Sequence, residues 1–201
     1  GWHEAQDGTL YLGVYVLNGR IIDRANDGVK SPIKTGLREI VRRFAPAIRL
    51  TPKQNIVLAG IDPARRNEID ALVAESGLQT DQGLGLLRRL AMACPALPTC
   101  GLAEAEYERF IPALLAGLEA AGVGDAPVEI RMTGCPNSCV RTPTAEIGIS
   151  GRCPGQYNLF VGGNQQGTRL AFLLKEKVAE DRLSPIIKSL IDAWRRHDPA
   201  P

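Results

Sequence analysis

The chain has 201 residues, 44% of them hydrophobic and 23% charged, enough to bury a proper core in one large domain or two small ones. A formal net charge of +2 gives no electrostatic footprint for nucleic acid, and no apolar run reaches the roughly 18 residues that a membrane span needs. No signal peptide is visible, and Gly1 in place of Met is read as the mark of a chain processed, trimmed or cut from something longer.

Taken in order, Leu10, Leu12, Val14 and Val16 alternate with Tyr11, Gly13, Tyr15 and Leu17, the period of a strand. Asn18-Gly19 favours positive φ and predicts a tight hairpin turn, with Arg20-Ile21-Ile22 returning. Leu37, Ile40, Val41 and Phe44 have helical spacing and predict a helix from about Ile33 to Phe44, with Pro46 beyond its end. A strand is predicted at Asn55–Ile61. Asp62 as N-cap and Pro63 at the first helical position open a second helix that stops before Gly77. These elements make a small α+β unit over residues 1–80.

Gln82-Gly83-Leu84-Gly85 links it to a second α+β unit over residues 81–201. A helix is predicted from about Leu102, with Tyr107, Phe110, Ile111, Leu114, Leu115 and Leu118 on its apolar face. Pro112 should kink or break it. Strands are predicted at Val128–Met132, around Ala145–Ile149 and at Tyr157–Val161. Ser184 and Pro185 predict the start of a last helix that carries Ile186, Ile187, Leu190, Ile191 and Trp194 inward. There is no internal repeat.

Chemistry points to the cysteines. There are five, Cys94, Cys100, Cys135, Cys139 and Cys153, and an odd count without a secretory signal argues against a disulfide framework. Four form two close pairs, Cys94-x5-Cys100 and Cys135-x3-Cys139, which in a reducing cytoplasm read as a metal or cluster site. The only histidines, His3 and His197, lie near the ends, far in sequence from these pairs. If Pro136 opens a short helix, Cys135 and Cys139 share its face, and the N–H groups of Asn137, Ser138 and Cys139 can point at an anionic cluster. Pro95 and Pro98 stiffen the first pair's loop. The apolar flank of Leu90, Ala91, Met92, Ala93, Ala96 and Leu97 would shield a cluster and lower its potential.

Other readings compete. Zinc modules place two to four residues between paired ligands, and x5 falls outside that range. Buried free thiols are the blander reading, and a nucleophilic cysteine lacks a histidine partner. Cys153 has no pair and reads as a structural thiol. Arg131, Arg141, Arg152 and Arg169 could pair with the carboxylates of a tetrapyrrole, though each taken singly reads as a solvated surface charge. Gly162 to Arg169 lacks the ending of a phosphate loop and reads as an ordinary turn. Arg38, Arg42 and Arg43 read as the exposed face of the first helix, and Trp194 as core.

Ala93-Cys94-Pro95-Ala96-Leu97-Pro98-Thr99-Cys100, Ala103-Glu104-Ala105-Glu106 and Thr133-Gly134-Cys135-Pro136-Asn137-Ser138-Cys139 resemble the siroheme nitrite and sulfite reductases. Pro154-Gly155-Gln156-Tyr157-Asn158-Leu159, Gly162-Gly163-Asn164 and Gly167-Thr168-Arg169 are similar to the sulfite reductase branch. Lys34-Thr35-Gly36-Leu37 and Thr51-Pro52-Lys53-Gln54-Asn55 resemble that family's ferredoxin-like repeat.

The resemblance implies a ferredoxin-like half-domain followed by an α+β domain for siroheme and a 4Fe-4S cluster, the C-terminal half of an assimilatory sulfite reductase hemoprotein. It implies that Cys94, Cys100, Cys135 and Cys139 ligate one 4Fe-4S cluster, that Cys139 also bridges to the siroheme iron, and that Asn137 lies against the macrocycle. It implies six-electron reduction of sulfite to sulfide in the cytoplasm, with ferredoxin or a flavoprotein reductase as donor. The family's N-terminal half supplies the distal lysines and arginines, so no catalytic residue carries over to this chain, which is expected to be inactive alone. Nucleic acid and membrane are not expected partners. Ferredoxin-dependent nitrite reductase shares the cysteine motif, and Pro98-Thr99-Cys100 with Tyr157-Asn158-Leu159 weighs against it. A non-catalytic zinc or iron–sulfur module is the alternative of another class.

Overall fold

The computed structural model describes residues 1–26 and 29–197. The chain is α+β, as its pattern predicts, and divides into one compact unit at Gly1–Leu84 and another from Gly85 onward. No helix among the described residues is long and apolar enough to cross a membrane.

The first unit contains β1 (Trp2–Glu4), β2 (Leu10–Val14), β3 (Asp23–Asn26), β4 (Val29–Pro32), α1 (Ile33–Phe44), β5 (Ala47–Leu50), β6 (Ile56–Ile61) and α2 (Arg66–Ser76). Its main sheet has the order β1-β2-β6-β5, antiparallel throughout, while β3 and β4 form a separate ribbon. The alternation in β2 buries Leu12 and Val14 opposite Leu58 and Ile56 of β6. Ile40 of α1 and Ile69 of α2 complete that core.

The expected hairpin does not form. Asn18 and Gly19 do take positive φ, 55° and 68°, but within a single 3-10 turn at Leu17–Gly19. Arg20-Ile21-Ile22 makes no strand, because both edges of β2 are already occupied by β1 and β6. The helices follow their sequence signals more closely. The Thr35 backbone N–H and hydroxyl donate to the Asp23 carboxylate at 2.9 and 2.7 Å, tying down the start of α1. Asp62 accepts the Ala64 N–H at 2.9 Å and opens a 3-10 turn that continues as α2. Gly77 closes α2 in the left-handed conformation. The edge strand β5 lacks alternation and was not visible in the pattern. All four of its residues are exposed, Ile48 by 50% and Leu50 by 80%.

The second unit contains α3 (Leu86–Leu90), β7 (Met92–Ala93), α4 (Phe110–Ala120), β8 (Ile130–Thr133), β9 (Ile147–Cys153), β10 (Gln156–Val161), β11 (Phe172–Ala179) and α5 (Glu180–His197). The sheet order is β11-β10-β9-β8-β7, with β7, β8 and β9 parallel and β9, β10 and β11 antiparallel. β8 is buried along its whole length, as a strand covered on both faces must be. Leu114, Leu115 and Leu118 of α4 and Leu183, Ile187 and Ile191 of α5 share one core with Ile149 and Leu159 of the sheet.

Three expectations for this unit are corrected. α4 starts at Phe110, not near Leu102, and Pro112 falls in its first turn, where a missing N–H breaks no helical bond. α5 starts at Glu180, directly after β11, so Pro185 lies inside the helix. Its first-turn Glu180 and Asp181 favour that earlier start through the helix dipole. Trp194 is 37% exposed, because the buried stripe of α5 runs through Leu183, Ile187 and Ile191 instead. The Gly162–Arg169 segment is a self-bonded turn. Asn164 accepts the Thr168 and Arg169 N–H groups, and the Arg169 guanidinium donates to the Gly162 and Gly163 carbonyls at 2.6 and 2.9 Å.

One close contact in the first unit is testable. Gly36 of α1 faces Ser76 of α2 so closely that a Cβ at position 36 would overlap the serine side chain. Overpacking of this kind costs about 1–3 kcal/mol, against the ~1 kcal/mol gained by replacing a helical glycine. Gly36→Ala should lower the denaturant midpoint. Ser76→Gly should destabilise on its own yet restore stability in the Gly36→Ala background. Additive losses in denaturation of the four variants would contradict the contact.

Candidate metal centre

Cys94 and the Cys135 segment meet at the carboxyl ends of neighbouring parallel strands. β7 pairs with β8 through Met92 with Arg131 and Ala93 with Met132. The next residue on β7's side is Cys94, whose N–H donates to the Met132 carbonyl at 3.1 Å. The next residues on the other side are Thr133, Gly134 and Cys135. The Gly134 N–H then donates to Cys94 Sγ at 3.2 Å. Gly134 also accepts at its carbonyl from the N–H groups of Glu104 and Ala105, at 2.7 and 3.2 Å. A Cβ at Gly134 would stand 2.9 Å from Ala96 Cβ and Ala103 Cβ, so only glycine lets these segments close on one another.

Cys94 and Cys135 are buried, Cys100 is half-buried and Cys139 is exposed. Burial pushes the Cys94 thiol up, the Gly134 and Ala96 N–H groups draw it back down, and the charges of Cys139 and Cys135 raise it again. Cys100 closes the Cys94 loop, its N–H donating to the Ala96 carbonyl at 2.6 Å. Asn137 is exposed beside Cys139. Cys153 lies at the end of β9, its thiol 3.4 Å from Gln156 Oε1.

The expected short helix after Pro136 is absent. Ser138 takes φ +58°, and residues 135–140 form turns, with a long 3.5 Å Ser138 N–H to Cys135 carbonyl contact. No helix N-terminus follows Pro136, and the backbone N–H groups of Gly134 and Ala96 act on the Cys94 sulfur instead. Ala96 and Arg141 also hold positive φ, 45° and 59°. Three non-glycine residues in strained conformations thus shape the cysteine loops, a pattern typical of functional sites.

The arginines are also reassigned. Arg131 is neither a surface charge nor free for a ligand. It is 2% exposed and pairs at 2.5 Å with Glu129, which is fully buried. Arg131 also donates to the Arg141 carbonyl and the Thr144 hydroxyl at 3.2 and 2.9 Å, so it braces the chain just past Cys139. Glu129-Ile130-Arg131 inside an apolar strand was the sequence signal, two opposite charges on one face. Arg169 is occupied within its turn, and Arg141 and Arg152 remain exposed.

The donor set suits an iron–sulfur cluster. Soft thiolates select zinc, cuprous copper or iron–sulfur centres. Among the described residues no three His, Cys, Asp or Glu side chains converge on a point that could hold a single metal ion. Outside the Glu129–Arg131 pair, the buried side-chain polar atoms lacking a hydrogen bond among the described residues are Glu104 Oε2, Tyr107 Oη and Thr133 Oγ1. Glu104 and Thr133 flank Gly134 by hydrogen bond and by sequence. Tyr107 belongs to the same buried core as Cys94. Unsatisfied buried groups of this kind call for an additional polar partner.

Residues 3–76 match the family described as the nitrite/sulfite reductase ferredoxin-like half domain. The solved structure of the Mycobacterium tuberculosis NirA protein superposes on the whole chain with TM-score 0.78, at 26% identity and over 38% of its own length. Dissimilatory sulfite reductase I shares the fold over 93% of this chain, with TM-score 0.62, at 12% identity and over 62% of its length. These matches define an α+β chain whose residues 3–76 form a nitrite/sulfite reductase ferredoxin-like half domain and whose fold is shared with both structures.

Curated relatives narrow it further. The sulfite reductase (NADPH) hemoprotein beta-component of Myxococcus xanthus is 42% identical over 98% of this chain, and that of Proteus mirabilis 39% over 96%. The chain is homologous to the sulfite reductase hemoproteins, and it spans about a third of their length, 35% and 34% in these two.

The exposure order of the cysteines predicts their chemistry in metal-free protein. Iodoacetamide should label Cys139 first and Cys94 last, with about tenfold or more between them, because a raised thiol pKa and burial both suppress the reactive thiolate. Peptide mass spectrometry over a time course reads the order. Cys94 labelling as fast as Cys139 would contradict the placement.

Proposed function

We propose that this chain is the cluster-holding, C-terminal portion of a cytoplasmic sulfite reductase hemoprotein that reduces sulfite to sulfide with six electrons. The observation that carries the reading is the pairing of β7 with β8, which brings Cys94 against Gly134 of the Cys135 segment, in a chain homologous to such hemoproteins. Cys94, Cys100, Cys135 and Cys139 would hold the 4Fe-4S cluster. Exposed Cys139 would also reach the siroheme iron, with Asn137 beside the macrocycle. The bound pair would supply one-electron storage next to the metal that carries the substrate.

The chain's own residues then have distinct tasks. Met92, Ala93, Ala96, Ala105 and Tyr107 exclude water from the inner cysteines. The Gly134 N–H stabilises negative charge on Cys94 sulfur. Arg131 fixes the backbone at Arg141 and thereby the approach of the Cys139 loop. None of these groups is placed to neutralise or protonate sulfite, so those catalytic groups belong to the N-terminal portion of the full-length protein. The exposed apolar edge at Ile48 and Leu50 is the kind of surface that portion would cover. Electrons would come from ferredoxin or a flavoprotein reductase. The family description also covers nitrite, and a nitrite reductase would use the same cysteines. The relatives' names favour sulfite.

Anaerobically purified full-length protein should carry four irons beyond the siroheme iron and show intense siroheme absorption bands. Zinc in place of iron would overturn the reading. Cys139→Ser should uncouple the two centres, and Cys153→Ser should leave both spectra unchanged. The 201-residue chain alone, reconstituted and assayed with reduced methyl viologen, should show no turnover above background. Turnover near that of the full-length protein would place the proton-donating groups inside this chain.

A further inference from the structure

Two tyrosines lie edge to face in the core that also contains Cys94, and only one has its hydroxyl satisfied. Tyr157 donates to the Glu106 carbonyl and to Glu180 Oε2, at 3.2 and 3.1 Å. Tyr107 is fully buried and its hydroxyl has no partner among the described residues. Its ring is fixed at 5.2 Å and 71° against Tyr157, which itself stacks on Phe110 at 5.8 Å. The backbone is fixed too, since the Tyr107 carbonyl accepts from Phe110 and Ile111 at the start of α4. Phenylalanine would fill the same space without burying an unsatisfied hydroxyl. The hydroxyl therefore calls for a partner, and the nearest candidates are the cysteines: Tyr107 shares one buried core with Cys94, and two residues before it the Ala105 N–H binds the carbonyl of Gly134, whose own N–H reaches the Cys94 sulfur.

We propose that the Tyr107 hydroxyl donates a hydrogen bond to a sulfur on the Cys94–Cys135 side of the bound 4Fe-4S cluster and thereby raises its reduction potential. This rests on the cluster reading above. A neutral thiol is a weak acceptor, so the hydroxyl stays unsatisfied until the thiols are ionised and bound to iron. A thiolate or bridging sulfide is a strong acceptor. Adding an electron increases the negative charge on those sulfurs, so the bond strengthens on reduction and favours the reduced state. Burial pushes the Tyr107 ionisation upward, so it keeps its proton and remains a donor. The Gly134 N–H supplies a second donor to Cys94 from the opposite chain segment. Together they oppose the lowering of potential that the apolar surround imposes.

The test is a potentiometric titration of the full-length protein, read by electron paramagnetic resonance of the reduced cluster. Tyr107→Phe should keep its iron and shift the one-electron equilibrium about tenfold toward the oxidised cluster, ~59 mV lower. Replacing Tyr107 by 3-fluorotyrosine, a stronger donor of nearly the same shape, should move the potential the other way. Tyr157→Phe removes a hydroxyl that is satisfied elsewhere and should leave the potential in place. A wild-type protein without the four-iron cluster would overturn the cluster reading and this proposal with it. An intact cluster whose potential is unmoved by either change at Tyr107 would overturn the proposal alone.

Discussion

Two residues of parallel pairing decide where the cysteines meet. Met92 with Arg131 and Ala93 with Met132 align two strands that end together, and the chain beyond each end begins with a cysteine segment. The pairs are separated by 34 residues in sequence, yet one ladder brings Cys94 beside Gly134 and Cys135. Parallel strands need a crossover, and α4 supplies it by packing Leu114, Leu115 and Leu118 into the sheet's core. The carboxyl ends of parallel strands are the usual place for a ligand, because loops diverge there and backbone groups are left to bind.

The register depends on features that look structural and have consequences at the site. The buried Glu129–Arg131 pair occupies β8 itself and the residue before it. Losing one partner would strand a buried charge, at a cost of about 3–5 kcal/mol. Arg131 meanwhile reaches the Arg141 carbonyl, so β8 and the turn after Cys139 are held by the same side chain. Gly134 joins three segments through one N–H, one carbonyl and the absence of a Cβ. Packing, polar satisfaction and cysteine placement are thus one constraint here.

Much of this was legible in the sequence, unevenly. α1 and α2 carried their own period and end signals, and β2 and β6 their apolar content, so each was found close to its place. β5 and β11 were missed because both are edge strands with mostly exposed residues and no buried alternation. Pro112 and Pro185 were each misread by position: one begins a helix thought to break there, the other lies inside a helix thought to begin there. The cysteine spacing and Gly-Cys-Pro-Asn segment marked the candidate site, but the turn at Ser138 depends on a positive φ that serine seldom adopts. Tyr107 read as one more apolar position, since nothing local reveals that its hydroxyl lacks a partner.

The central claim is that four named sulfurs enclose one cluster. Anomalous diffraction from crystals of the full-length protein, collected at the iron absorption edge, addresses it directly. The account predicts four iron peaks bounded by Sγ of Cys94, Cys100, Cys135 and Cys139, with a fifth iron across Cys139 from the other four. A single metal peak among the cysteines, or iron bound by Cys153 in place of one of the four, would contradict it.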